Sequence, residues 1–409
     1  MNKPELLAPA GSFDKAKIAF KYGADAVYCG TANLSLRSRV EVDNNDLVKT
    51  IEYAHSINKK VYAAINIYAS DFEYEEIIKQ VKELSKINVD GIIISDGGIV
   101  EIVKEYAPNV EVHISTQANV TSLQTSKFWY KNGAKRIILG RELTKQQIKE
   151  IMDNKPEDLK IETFVHGALC FAYSGRCFLS DFLANRGANH GDCAQCCRWE
   201  YNIYVEETKK PGYLMPVEED NNGTYIFSSK DLCLVKEVPE ICEMGIDSLK
   251  IEGRLKTEYY LATVVNAYRC AIDDYMENPQ EFRYEKYITE LEKTKTRRFS
   301  TYYFHGKDNK DVQDYDNKQY NADYEFAGKV VETVGNLVTI EIRNKLKIGD
   351  SIEIIFPGKI EPHKFEIKEL FDYETGENIQ TVNPGVAEQK VKLEIPVEVN
   401  EGIILRRKK

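Results

Sequence analysis

The chain has 409 residues, of which 43% are hydrophobic and 29% charged; that length predicts two or three domains rather than one core. No apolar run approaches the roughly 20 residues that cross a bilayer, and the opening MNKPELLAPAG has no signal-peptide hydrophobic region, so a cytoplasmic protein with no membrane partner is expected. Fifty-five basic against 65 acidic side chains give a net charge of −10, which disfavours a generic nucleic-acid binder but leaves room for a local basic patch.

From residue 5 to about 254, short apolar runs alternate with amphipathic segments. The runs are ELLAPA, DAVYCG, KVYAAINIY, DGIIISD, VEVHISTQ, RIILGRE, IETFVHG, TYIFSSKD and DSLKIEGR. Between them, Leu47, Ile51, Ala54 and Ile57, then Ile77, Ile78, Val81 and Leu84, recur at helical spacing. Apolar strands that do not alternate are buried on both faces, the mark of a parallel sheet. KYGADAVYCG, KNGAKRIILG and EMGIDSLKIEG repeat one plan, a helix end closed by Gly23, Gly133 or Gly245 and then a strand. Repeated βα units of this length favour a (β/α) TIM-like barrel over a doubly wound sheet. Nine candidate strands predict that one lies outside an eight-stranded barrel, or that the barrel is irregular.

Residues 254–290 read as helix, and 293–310, KTKTRRFSTYYFHGKDNK, are basic and aromatic. The expected division is a (β/α) barrel over 1–310, an acidic, Asn-rich linker at 311–322, and a small antiparallel β-barrel over 323–409. In that last stretch, runs such as VVETVGNLVTIEI alternate apolar and polar residues between Gly and Asn turns. Few catalytic groups fall there, so a binding or positioning role is expected.

Five of the nine cysteines lie between 170 and 197. An odd total in a cytoplasmic chain points to metal or redox chemistry rather than disulfides. Cys170, Cys177, Cys193 and Cys197 have the spacing C-x6-C-x15-C-x3-C. Four thiolates suit zinc or an iron–sulfur cluster, and the long gaps suit a cluster loop better than zinc knuckles. Cys29, Cys242 and Cys270 read as buried core thiols.

ETFVHGALCFAYSGRCFLS resembles the signature of the peptidase U32 family, E-x-F-x-x-G-[SA]-hydrophobic-C-x4-G-x-C-x-hydrophobic-S. Its positions are filled by Glu162, Phe164, Gly167, Ala168, Leu169, Cys170, Gly175, Cys177, Leu179 and Ser180. LLAPAG, ADAVYCG, GDCAQCCRW, SSKDLC, SLKIEGR and RRFSTYYF also resemble family blocks, so the resemblance covers essentially the whole chain. The pattern is most similar to the branch that forms 5-hydroxyuridine at the tRNA wobble position with prephenate as hydroxyl donor; related branches hydroxylate ribosomal RNA or a quinone precursor. The resemblance implies a [4Fe-4S] cluster on Cys170, Cys177, Cys193 and Cys197, with zinc as the alternative metal. Cys196 and Cys233 are rivals for the fourth ligand.

The family's name raises proteolysis. His166 lies four residues before Cys170, as a cysteine-protease pair would need, but that reading leaves three spaced cysteines without a role. No H-E-x-x-H or G-x-S-x-G is present. A U32-type peptidase, or collagenase-like protease, is therefore the second reading, and a zinc-stabilised RNA-binding scaffold the third.

In a (β/α) barrel, chemistry sits at the C-terminal strand ends. Here these offer Asn66, Asp96, His113, Gln117, Arg141, Glu142, His166, Lys250, Glu252 and Arg254. A dianion such as prephenate needs cations in a partly dry pocket, so Arg141, Lys250, Arg254 and Gln117 are the substrate-binding candidates. Glu142 and Glu252 would orient the cations, and His113, His166 and Glu252 are the candidate proton-handling groups; barrel-mouth ion pairs are the plainer alternative. Lys293, Lys295, Arg297 and Arg298 beside Phe299, Tyr302 and Tyr303 suit phosphates and unpaired bases, or else a helix end and a core strand. Arg37, Arg39 and the terminal LRRKK are further phosphate candidates. Expected partners are tRNA, prephenate and a paralogous U32 subunit or a second copy of the chain.

Overall fold

The structure is a computed structural model. It describes residues 2–31, 44–170, 172–188, 192–199, 229–294, 297–306, 323–385 and 389–409, with shorter pieces at 201, 204–206, 208–209, 211–212, 214–216 and 312. Arg37, Arg39, Lys295 and nearly all of the 311–322 linker lie outside the described residues.

The first part alternates strand and helix: β1 (Glu5–Pro9), α1 (Phe13–Lys21), β2 (Ala26–Gly30), α2 (Asn44–Ser56), β3 (Lys60–Ile65), α3 (Tyr74–Lys86), β4 (Gly91–Ile94), α4 (Gly97–Tyr106), β5 (Glu111–Ile114), α5 (Leu123–Lys131), β6 (Arg136–Ile138), α6 (Lys145–Asn154) and β7 (Lys160–Ala168). Local chemistry starts the helices: Ser12, Ser122 and Thr144 each accept a backbone N–H in the first turn. Gly23, Gly133 and Gly245 have the positive φ that the repeated helix–Gly–strand plan predicts.

After β7 come α7 (Leu179–Ala184), a short hairpin of β8 (Tyr204–Glu206) and β9 (Leu214–Pro216), β10 (Asp231–Cys233), α8 (Val238–Glu243), β11 (Ser248–Ile251), α9 (Glu258–Glu277), α10 (Glu285–Leu291) and β12 (Phe299–Ser300). The helix expected over 254–290 is thus two helices, broken by a turn that begins at Pro279, which has no N–H to continue α9.

Strands β1 to β7 pair in sequence, all parallel, and β11 pairs with both β1 and β7, closing an eight-stranded barrel. Of the ninth candidate strand, TYIFSSKD, residues 229–231 are described and lie outside the barrel. Its last residue, Asp231, opens β10, which runs antiparallel to the end of β7 and carries β12 on its free edge. The walls are Val, Ile, Ala and Leu with almost no exposure, packed against the helix ring as one core.

Residues 324–408 form an antiparallel sheet of β13 (Tyr324–Val334), β14 (Leu337–Ile342), β16 (Ser351–Ile355), β17 (His363–Glu366), β18 (Phe371–Asp372), β20 (Lys390–Glu394) and β21 (Ile404–Lys408), with β15 (Leu346–Lys347) and β19 (Thr381–Val382) as a separate pair. The sheet curls around its own apolar core as a half-barrel, with bulges in β13. It docks on the helices. The Tyr22 hydroxyl donates to the Ile355 carbonyl (2.8 Å) and accepts from the Ile404 N–H (2.9 Å). Arg406 is fully buried between Glu290 and Glu353, and Arg407 pairs with Glu325 and Asp350. LRRKK is therefore largely an interface segment, not a phosphate-binding tail.

Candidate active site at the barrel mouth

Inward side chains repeat every second residue, so they stack in layers. The lower layer is polar. Arg136 bridges Glu5 (2.5 Å) and Glu162 (2.9 Å), Glu162 holds Lys250 (2.8 Å), and the Tyr62 and Ser248 hydroxyls donate to Glu5. Burial raises the pKa of Glu5 and Glu162, but the opposing cations outweigh it and leave both carboxyls below their ordinary range.

Above this layer lies a cavity of about 230 Å³. Tyr28, Ala64, Ile93, Ser115, Ile138, Phe164 and Lys250 close it from the barrel side. Lys250 sits over the Tyr28 ring (4.3 Å) and beside Phe164 (5.6 Å), Arg254 over Tyr28 (5.8 Å), and Arg141 over Phe164 (5.2 Å). Two aromatic rings thus hold three cations that face one space. Burial pulls the Lys250 pKa down, against the pull of Glu162. Asn66, Gln117 and Glu252 also line the cavity, as do Arg186 and Arg198, which the strand-end reading does not contain. The signal for Arg198 is its place beside Cys197, whereas nothing local marks Arg186. Glu142 does not line the cavity; it accepts from the Ser174 N–H (2.5 Å) and so anchors the cysteine loop.

Neither proposed imidazole reaches this cavity. His113 is one layer too low: Ser115, two residues on, is the β5 residue that lines it. His113 is fully buried, 2.9 Å from Glu111, in space left by Gly91. His166 is turned outward by a bulge. Lys250 and Ile251 pair with Phe164 and His166, so Val165 is an extra residue and the inward alternation Glu162, Phe164 breaks. The His166 ring packs among Tyr260, Tyr268 and Phe299, where burial pulls its pKa down to about 3. Among the described residues no histidine lines the cavity, so none of them gives Cys170 the partner a cysteine protease requires.

The loop after β7 supplies the thiols. Cys170, Cys177, Cys193, Cys196 and Cys197 all line the cavity; Cys233 lies behind β7 against the Tyr268 hydroxyl. Gly175 packs on the Gln117 carbonyl, the Arg198 guanidinium donates to the Leu169 carbonyl (2.8 Å), Arg186 holds Asp192, and the Ser180 hydroxyl accepts from the Ala194 N–H (2.9 Å). A hydrogen bond from the Cys177 thiol, with Arg141 and Arg198 nearby, pulls the Cys170 pKa down despite burial. Among the described residues no three thiol, imidazole or carboxylate groups stand close enough together to hold a metal. The donor chemistry fits a cluster nonetheless: soft thiols share one cavity, with cations beside them to offset thiolate charge.

Arg297 is half-buried and donates to the Ser229 carbonyl (3.0 Å), and Arg298 is exposed. Tyr302 and Phe304 are buried and Phe299 packs on His166, so the RRFSTYYF aromatics are mainly core. Among the described residues no helix is long and apolar enough to cross a membrane.

Residues 11–314 match the description "Peptidase family U32", and residues 322–406 match "Peptidase family U32 C-terminal domain". The chain is 38% identical to tRNA hydroxylation protein P1 of Bacillus subtilis, over 96% of this chain and 92% of that protein. It is 37% identical to tRNA hydroxylation protein P of Escherichia coli, over 87% of each. A Methanocaldococcus jannaschii protein described as an uncharacterized protease is 40% identical over 86% of each. Matched through both its barrel and its C-terminal sheet, this chain belongs to peptidase family U32.

Proposed function

We propose that the protein hydroxylates tRNA, forming 5-hydroxyuridine at the wobble position with prephenate as hydroxyl donor, and that Cys170, Cys177, Cys193 and Cys197 hold a [4Fe-4S] cluster for the reaction. The observation that carries this reading is the meeting of thiols and anion-binding cations in one cavity at the barrel mouth. The names of the two bacterial relatives support tRNA as substrate. When bound, the cluster supplies iron chemistry for moving a hydroxyl group. The chain's own residues do the rest. Lys250, Arg254 and Arg141 take the carboxylates of the donor, since their rings and partners hold them in place before it arrives. Asn66 and Gln117 orient polar groups beside them. In exchanging the uracil C5 hydrogen for the donor's hydroxyl, the donor's C–O bond breaks with its electron pair left on the donor carbon, and Glu252, the carboxylate among the described lining residues, carries the C5 proton to that carbon. The Tyr28 and Phe164 rings exclude water from the inner wall.

The test is nucleoside analysis of tRNA from cells lacking this protein, with the protein also purified without oxygen. Loss of 5-hydroxyuridine derivatives, restored by the wild-type chain but not by Cys170→Ala, is expected, together with iron and acid-labile sulfide that the variant lacks. Unchanged tRNA would overturn the substrate. One zinc and no iron would overturn the cluster. Cleavage of a denatured protein that survives metal removal but not Cys170→Ala would favour the peptidase.

A further inference from the structure

We infer that the exposed aromatic side chains of the cysteine loop, Tyr173, Phe178, Phe182 and Trp199, form a stacking platform for unpaired bases of the substrate RNA around the cavity mouth. The inference rests on the reading that the substrate is an RNA, and it goes further by naming residues that would present the RNA. Tyr173 is 55% exposed, Phe178 71%, Phe182 77% and Trp199 42%. Single exposed aromatics need no explanation, but four on one loop do. The loop is not loose where they sit. Phe178 and Phe182 are four apart at the start of α7 and share its outer face, while Ser180 between them is buried and anchors the 194 backbone. The short turn that precedes Trp199 packs on α7. Tyr173 lines the cavity itself, as do Cys177, Leu179 and Arg198, the chain neighbours of Phe178 and Trp199.

Charge selects the occupant. Besides Arg141, Lys250 and Arg254, which the donor occupies, Arg186, held by Asp192, and Arg198 line the cavity, against one described lining carboxylate, Glu252. This cationic interior sits in a chain whose net charge is −10. A partner with flat apolar faces and an anionic backbone satisfies both the rings and the cations, and single-stranded RNA has both. Stacking tolerates any base, so the platform would hold the loop while one nucleotide enters the cavity. The RRFSTYYF aromatics offer less open ring surface: Tyr302 and Phe304 are buried and Phe299 packs on His166.

The experiment uses the full-length protein and a hairpin RNA carrying 2-aminopurine beside a loop uridine. Wild type should bind by fluorescence anisotropy and quench the 2-aminopurine. Phe178→Leu, Phe182→Leu and Tyr173→Leu, which keep apolar bulk but remove the ring, should each weaken binding roughly 5- to 150-fold and lose part of the quench. Phe182→Trp should restore both. Leu183→Ala, on the same helix, should bind as wild type. Circular dichroism and cysteine accessibility guard against misfolding, and Phe182→Leu, whose side chain is mostly in solvent, serves if Phe178→Leu is unstable. Unchanged affinity and quench in the three Leu variants would overturn the proposal. So would variants that bind RNA normally but lose a protein partner or self-association in sedimentation, since the face would then be a protein interface. Normal quenching by wild type alongside unchanged tRNA nucleosides in the deletion strain would sink the proposed reaction and spare the platform; the reverse pattern would do the opposite.

Discussion

His166 follows Phe164 in strand alternation, yet one extra residue at Val165 moves its ring from the cavity to a packed aromatic site behind β7. Its protonation is therefore a stability matter. Its folded pKa, about 3, lies below the ordinary 6.5, because burial disfavours the cation. The unfolded chain binds the proton first as pH falls. Stability is full above about pH 6.5 and declines toward pH 3, by about 1.4 kcal/mol per pH unit for this one group. Urea midpoints measured from pH 7 to pH 5 should fall for wild type, and fall less for His166→Phe. Gly175 is a second residue-scale case. With φ +70°, an added Cβ would stand 2.1 Å from the Gln117 carbonyl and 2.4 Å from the Tyr68 hydroxyl. The left-handed backbone alone costs Ala about 1–2 kcal/mol. Gly175→Ala should lower the unfolding midpoint and speed thiol labelling of Cys170 and Cys177.

Among elements, the barrel interior is joined by the chain of charges Glu5, Arg136, Glu162 and Lys250, contributed by β1, β6, β7 and β11. Its upper end, Lys250, is the cavity floor, so the same chain that pins four strands also sets a substrate-facing cation. Arg136→Met leaves two carboxylates buried close together and should cost on the order of 3–5 kcal/mol at pH 7. Glu5 and Glu162 have pKa values held below 4.5 in the fold, so their contribution is present above about pH 4.5 and is lost as pH falls further. In the variant the two carboxyls repel and take up protons more readily. The gap between wild type and variant in denaturant unfolding should therefore narrow from pH 7 to pH 4.

At the scale of the whole molecule, the half-barrel has an apolar core of its own but sends Ile355 and Ile404 into the barrel's, and a polar seam on α1, α9 and α10 joins the two. Arg406 has no exposure there, and its loss removes the one guanidinium that bridges Glu290 and Glu353, leaving them to Lys293 and Lys364. Arg406→Met should cost about 3–5 kcal/mol, and Tyr22→Phe, which breaks two backbone contacts, about 1–3 kcal/mol. Calorimetry should show one coupled transition in wild type split toward two in Arg406→Met. A net charge of −10 with cations concentrated in one cavity also means few phosphate contacts. RNA affinity should fall with salt along a shallow log–log slope, near 0.7 for each phosphate neutralised.

The parallel barrel was legible because burial on both faces leaves apolar strands without alternation, and Gly23, Gly133 and Gly245 mark the helix exits whatever surrounds them. The cysteine loop was legible because spacing along the chain is itself the signal. Arg141, Lys250, Arg254, Gln117 and Glu252 follow from the rule that barrel strands present chemistry at their C-terminal ends, and all five line the cavity. The two histidines were not legible in the same way. Layer depth places His113 below the cavity and a bulge turns His166 away from it, and both depend on register between strands distant in sequence. Arg186 and Arg198 enter the site, and Arg406 leaves the surface, for the same reason: local residues specify which element forms, while only chain closure decides which side chains meet.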